Sequence, residues 1–253
     1  MRQSGGWFTL RYMAEMQAHQ QHTHPHKEAH FASSNSVRDV IIGMSDGLTV
    51  PFALAAGLSA AVPTKLIVLA GLAEIAAGSI AMGLGGYLAA KGDAEFYYNE
   101  RLREEREIVE RAHDEEEEIY EIFEDYGVDR ASSGPVLEAL KRNPQAWVDF
   151  MMKFELDLEK PEKNRARQSA TTIALSYVVG GMVPLAPYML ASSTGFALKL
   201  SVVITLATLG VFGGIKGKLL GTHWLRSAVQ TMLIGGAAAA AAFTLAKLLS
   251  GHT

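Results

Sequence analysis

The chain has no cysteine, which excludes a disulfide framework and any thiolate metal site. It also lacks a strong excess of either charge. Its formal net charge is −4, so nothing suggests a nucleic-acid partner. Over most of its length it has very little charge at all. Of 27 acidic residues, 22 fall between 91 and 168, and 13 of the 23 basic residues fall there too. Beyond residue 39 the rest of the chain is almost uncharged, and 49% of all residues are hydrophobic. This is the pattern of a membrane protein carrying one large polar insertion. Residues 1–36 are polar and His-rich, with no apolar core followed by a small-residue cleavage site, so the first apolar run is expected to be retained as an anchor.

A helix needs roughly 20 apolar residues to cross a bilayer. Five stretches qualify, at about 39–62, 66–90, 169–190, 196–215 and 224–248. "VPTK" joins the first two and "ASSTG" the third and fourth, linkers that suit antiparallel neighbours. Lys and Arg concentrate in the N-terminal tail, in the insertion and after the fourth span, which predicts that these face the cytosol and that the C-terminus lies on the far side. Gly43 and Gly47, and Gly213, Gly217 and Gly221, recur every four residues, a spacing that lets helices approach closely in lipid. Pro51, Pro184 and Pro187 are expected to interrupt their helices and leave carbonyls unpaired.

Two acids sit where lipid is expected. In "IIGMSDGLTVPFALAAGL" a span starting after Asp46 would be too short to cross, so Asp46 falls inside the bilayer. Glu74 lies well inside the second span, with Met82 two turns further on. A charge near the bilayer centre costs at least ~2.5 kcal/mol, and such residues usually face a cavity and mark an ion or proton path. The plainer alternative is a protonated carboxyl bonded between helices.

The insertion reads as three helices. The first is expected to continue the second span without a break to Glu124, ending at Gly127. "SSGPVLEALKRN" and "NPQAWVDFMMKFELDLEK" follow, each introduced by a proline-containing turn. On one continuous helix Glu104, Glu107, Glu115 and Glu118 share a stripe, since eleven residues are three turns plus about 20°. Glu100 and Arg111 lie on it too. Like charges so spaced repel unless a cation lies between them. A solvated charged helix has the same appearance. Met151, Met152 and Glu155 on the last helix add thioethers, and carboxylate with thioether suits a first-row transition metal. A Met pair is equally at home filling a core. His19, His22, His24, His26 and His30 form either a loose metal-collecting tract or plain low-complexity sequence.

"SSNSVRDVIIGMSDGLTVPFALAAGLS" and "GLAEIAAGSIAMGLGGYLAAKGDAEFY" resemble the first two spans of the vacuolar iron transporter family, and the acidic insertion and "FMMKFELDLEKP" match it as well. The resemblance covers about 33–250 and is strongest to plant members. It implies an all-α membrane protein with five transmembrane helices and a cytosolic three-helix metal-binding domain inserted between the second and third spans. The implied division is a 1–36 tail, spans at 37–90, the inserted domain at 91–168 and spans at 169–250. It implies a homodimer in the vacuolar membrane, with its pore at the dimer interface, moving ferrous iron and also manganese out of the cytosol in exchange for protons. Zinc and cobalt are further candidate ions, and no prosthetic group is expected. Glu104, Glu107, Glu115, Glu118, Met151, Met152 and Glu155 would be cytosolic metal ligands, and Asp46, Glu74 and Met82 would line the path.

Two rivals remain. One is a membrane-tethered, ferritin-like iron-oxidising enzyme. Glu110 and His113 form one Glu-x-x-His pair, but the di-iron scheme needs two on different helices. The other is a membrane scaffold whose acidic domain recruits a partner.

Overall fold

A computed structural model describes residues 35–250. The five histidines of the N-terminal tract lie outside the described residues. Among the described residues there are eight α-helices and no strand: α1 (Asn35–Leu58), α2 (Thr64–Glu110), α3 (Ala112–Asp125), α4 (Arg130–Lys141), α5 (Pro144–Phe154), α6 (Arg165–Leu190), α7 (Thr194–Leu219) and α8 (Trp224–Ser250). Helices α1, α2, α6, α7 and α8 are long and apolar enough to cross a membrane, as the hydropathy pattern predicts.

The first span sits a turn earlier than expected. Helix α1 stops at Leu58, and 59–62 form a turn in which the Val62 amide still reaches Leu58 O at 3.0 Å. Pro63 biases Val62 away from helical geometry and so ends the run. The turns at this end are tied together: Thr64 and Thr194 hydroxyls lie 2.7 Å apart, and Ser59 and Tyr188 hydroxyls 2.8 Å apart. The expected helix interruptions do not occur. Pro51, Pro184 and Pro187 all lie inside unbroken helices. Where lipid offers no water, continuing the helix satisfies more backbone than breaking it, and a neighbour can bond a carbonyl. Pro184 O accepts the Ser201 hydroxyl at 2.8 Å.

Helix α6 is the centre of the bundle, packed along both α1 and α2. Gly43 and Gly47 lie directly on the α6 backbone at Ile173 and Tyr177, where any Cβ would collide with a carbonyl oxygen. Gly213 and Gly217 seat α7 against Thr231 and Ser227 of α8. Gly221 does not belong to that seam: it follows the end of α7 at φ +67° and makes the turn.

The polar region departs from the sequence reading in three ways. The first helix is not continuous: it breaks at Arg111 (φ −129°, ψ 33°), dividing α2 from α3. No glycine or proline marks the break. Its reason is tertiary: Ile108 before it and Ile119, Tyr120 and Phe123 after it all join one apolar cluster with Leu137, Trp147 and Met151. Fully burying a side chain such as Ile119 stabilises by roughly 1.5–3 kcal/mol, which offsets hydrogen bonds lost at the break. Second, α4 is not introduced by proline. It starts at Arg130, capped by Asp129, whose carboxylate accepts the Ser132 amide at 2.8 Å, and Pro135 lies within it. Third, α5 ends at Phe154 rather than running on to 160. The chain turns there so that Leu156 and Leu158 fold onto Tyr97, Val148 and Met152. Arg101 of α2 pairs with Asp149 of α5 and fixes α5 alongside.

Candidate functional site

The break at Arg111 changes how the glutamates meet. On one straight helix Glu104 and Glu115 would stand about 16 Å apart along the axis. In the structure α3 turns back, and one carboxylate oxygen from each of Glu104, Glu107 and Glu115 lies within 4.8 Å of the others. Glu115, Glu118 and Glu155 form a second triad of the same size. Glu115 belongs to both. The stripe predicted from spacing is therefore replaced by a gathering of α2, α3 and the C-terminal end of α5. Neither Glu110 nor His113 belongs to either triad.

Glu104 and Glu115 are 1% and 3% exposed, and each has a buried Oε2 without a hydrogen-bond partner. Buried polar atoms are nearly always paired, so two orphaned carboxylate oxygens in one cluster call for a proton or a cation. Arg103 meets part of that need: it reaches Glu100 at 3.0 Å, Glu107 at 3.3 Å and Glu104 at 3.4 Å. Arg111 leans aside, to Asp114 at 3.1 Å and Glu107 at 3.6 Å.

Desolvation pushes the Glu115 carboxyl up to about 7, helped by the charges of Glu118 and Glu104. Glu155 is also pushed up to about 7, by desolvation of its carboxylate and then by Glu104 and Glu118, although the residue as a whole is exposed. Burial raises Glu104 and Glu118 in the same direction. Glu115 and Glu155 thus hold protons up to near neutrality.

Met151 and Met152 are fully buried in the two apolar clusters, Met151 with Ile119, Leu137 and Trp147, Met152 with Tyr97 and Val148. They anchor the end of α5 that carries Glu155, whose amide bonds Met151 O at 3.0 Å.

In the spans, Asp46, Glu74 and Met82 are each half-buried. Glu74, Gly78 and Met82 follow one another at four-residue steps along α2. Glu74 accepts a hydrogen bond from the Tyr177 hydroxyl of α6, and its Oε2 is buried without a partner. Asp46 precedes Gly47, which lies on the Tyr177 backbone, so α1, α2 and α6 meet at this level.

Carboxylates held in spans, below a second carboxylate cluster on an extension of the same helix, match a known sequence pattern. The profile of the VIT family matches residues 37–247. The chain belongs to the VIT family. Vacuolar iron transporter 1 of Oryza sativa subsp. japonica is 57% identical over 231 residues, covering 91% of both chains. Vacuolar iron transporter 1 of Arabidopsis thaliana is 56% identical over 225 residues, 88% of this chain and 90% of that one. Protein CCC1 of Saccharomyces cerevisiae is 39% identical over 221 residues, 84% of this chain and 69% of that one. All ten candidate residues of this VIT-family chain lie within the matched stretch.

Three participants escaped the sequence reading. Tyr177 looks like any aromatic in an apolar run, and only the fold brings it to Glu74. Arg103 was hidden among many charges, yet it contacts three glutamates of the α2 face. Asp39, 3% exposed, accepts two bonds from Arg165, at 2.5 and 3.0 Å, and one from Ser169 at 3.2 Å, joining α1 to α6. A charged residue at the very start of each apolar run was the available signal for that pair.

Proposed function

We propose that this chain is a proton-coupled transporter, not an enzyme, which moves ferrous iron, and also manganese, from the cytosol into the vacuole. The relatives are named as vacuolar iron transporters, which supports the cargo and the membrane. The observation that carries the reading is the construction of α2. One 47-residue helix bears Glu74 and Met82 in its apolar half and Glu104 and Glu107 in its polar half, with Met82 and Glu104 about 33 Å apart along it.

In this reading residues 91–168 form a cytosolic metal-binding domain, and 1–36 a cytosolic tail. Glu104, Glu107, Glu115, Glu118 and Glu155 collect the ion, and Met151 and Met152 complete the site as thioether ligands. The ion then passes to Asp46, Glu74 and Met82, in a pore shared between two copies of the chain. The C-terminus lies in the lumen. Coupling arises because proton and cation compete for the same carboxylate oxygens. Zinc and cobalt are carried by the same chemistry.

The test is ferrous-iron uptake by liposomes holding the purified chain, acidic inside. Uptake driven by the gradient and stopped by a protonophore is expected. Uptake indifferent to the gradient contradicts the coupling, and oxidation of the iron without uptake contradicts the transporter reading.

A further inference from the structure

Tyr177 is 3% exposed and held from two sides by glycines. Gly47 of α1 lies against its backbone. Gly78 of α2, one turn beyond Glu74, lies under its ring: a Cβ there would stand 2.5 Å from the phenol oxygen and 2.7 Å from Cζ. The hydroxyl is therefore aimed, and its target is one oxygen of Glu74, which leaves Oε2 as the carboxylate's only unclaimed atom.

We propose that Tyr177 is a positioning residue that restricts Glu74 to binding a passing cation through one oxygen. This rests on the transport reading. A carboxylate can grip a metal with one oxygen or with two. Conduction requires a site strong enough to be entered and weak enough to be left. With the phenol donating to Oε1, that oxygen has one lone pair fewer for a cation, and Gly78 of α2 beneath the ring lets it sit there, so binding through Oε2 alone is favoured. The seat thus sets a ceiling on how tightly Glu74 holds its ion.

Tyr177→Phe keeps the ring and removes the donor. The first measurement is infrared difference spectroscopy of the full chain in detergent on addition of manganese(II), with the Glu74→Gln variant subtracted to isolate the Glu74 bands. A wide separation of the two carboxylate stretches, the signature of one-oxygen binding, is expected for the unaltered chain, and a narrow one for Tyr177→Phe. The second is ferrous-iron uptake in vesicles. Tyr177→Phe lowers the apparent KM and the maximal rate together, by about tenfold, the low end of what one hydrogen bond to a charged group is worth. A variant that simply folded less well lowers the rate and leaves KM unchanged. Gly78→Ala, which displaces the ring, shifts both values in the same direction. A narrow separation in the unaltered chain, no change in Tyr177→Phe, or no Glu74 bands on adding manganese overturns the proposal. The infrared measurement needs no transport. A chain that binds manganese at Glu74 as described but imports no iron sinks the transport reading and leaves the role of Tyr177 standing.

Discussion

Glu104 and Glu115 are separated by eleven residues and a helix break, yet their carboxylate oxygens lie within 4.8 Å of each other. Apolar packing brings them there against their own repulsion. Ile119, fully buried one turn after Glu115, is the centre of that packing. Ile119→Ala is expected to destabilise the polar helices by about 2–5 kcal/mol, the usual loss for a large core aliphatic. It should also weaken metal binding by separating α3 from α2. Thermal unfolding and calorimetric metal titration of the full chain check both. Unchanged affinity with lowered stability would mean that the carboxylates find each other without the core.

Glu115→Gln should act in opposite directions on two measurements. Glu115 belongs to both triads, so its loss lowers metal affinity by on the order of tenfold or more, since even the partners of ligands are worth that much. It also removes a buried, repelled carboxylate whose Oε2 has no partner, so the metal-free chain becomes more stable. Calorimetry and melting temperature without metal read the two effects. A simple structural contact would lose stability on removal.

The Glu115 carboxyl is raised from 4.5 to about 7 by desolvation first and neighbouring glutamates second. Between those values the folded chain holds a proton that the unfolded chain has released. The contribution of Glu115 to the stability of the metal-free chain is therefore fullest below about 4.5 and declines as the pH rises towards 7. Metal affinity moves the other way, rising as that proton is lost. Titrations at a series of pH values, with release of protons on binding, check the direction. Affinity that is flat from pH 5 to 7.5 would remove Glu115 from the site.

How much of this was legible beforehand depended on which force decided each feature. Hydropathy located all five apolar helices, because a bilayer's thickness imposes length and composition directly. The glutamates were singled out by their spacing, but on the premise of a continuous helix. That premise came from local propensity, which registers no breaker between Gly92 and Glu124. The break is set by where Ile108 and Ile119 can both be buried, a tertiary fact. A local hint did exist: Asp114 and Glu115 are acids in the first turn of α3, a pattern that marks a helix start. The prolines misled for a related reason, since rules learned in water overstate their effect where no water competes for the backbone. Tyr177 and the Asp39–Arg165 pair join residues more than a hundred positions apart, and no periodicity carries that information.

Asp39 and Arg165 offer a test of the bundle itself. Both are largely buried, and Arg165 is bidentate on Asp39. Arg165→Met leaves a buried carboxylate with only Ser169 and should cost about 3 kcal/mol or more. Combining it with Asp39→Asn should recover much of that loss, because the uncompensated charge is gone. Melting temperatures in detergent for the two single variants and the double variant read the coupling. Simple additivity would deny that the pair is a unit.

The proposed ion path runs through the acids within the spans. Ferrous-iron uptake into acidic-inside liposomes, measured for Asp46→Asn and for Glu74→Gln beside the unaltered chain, tests it most directly. Each variant is predicted to fold, to keep metal binding at the Glu104–Glu115 cluster, and to lose gradient-driven uptake. Uptake retained at the unaltered rate in both would contradict a path through these carboxylates.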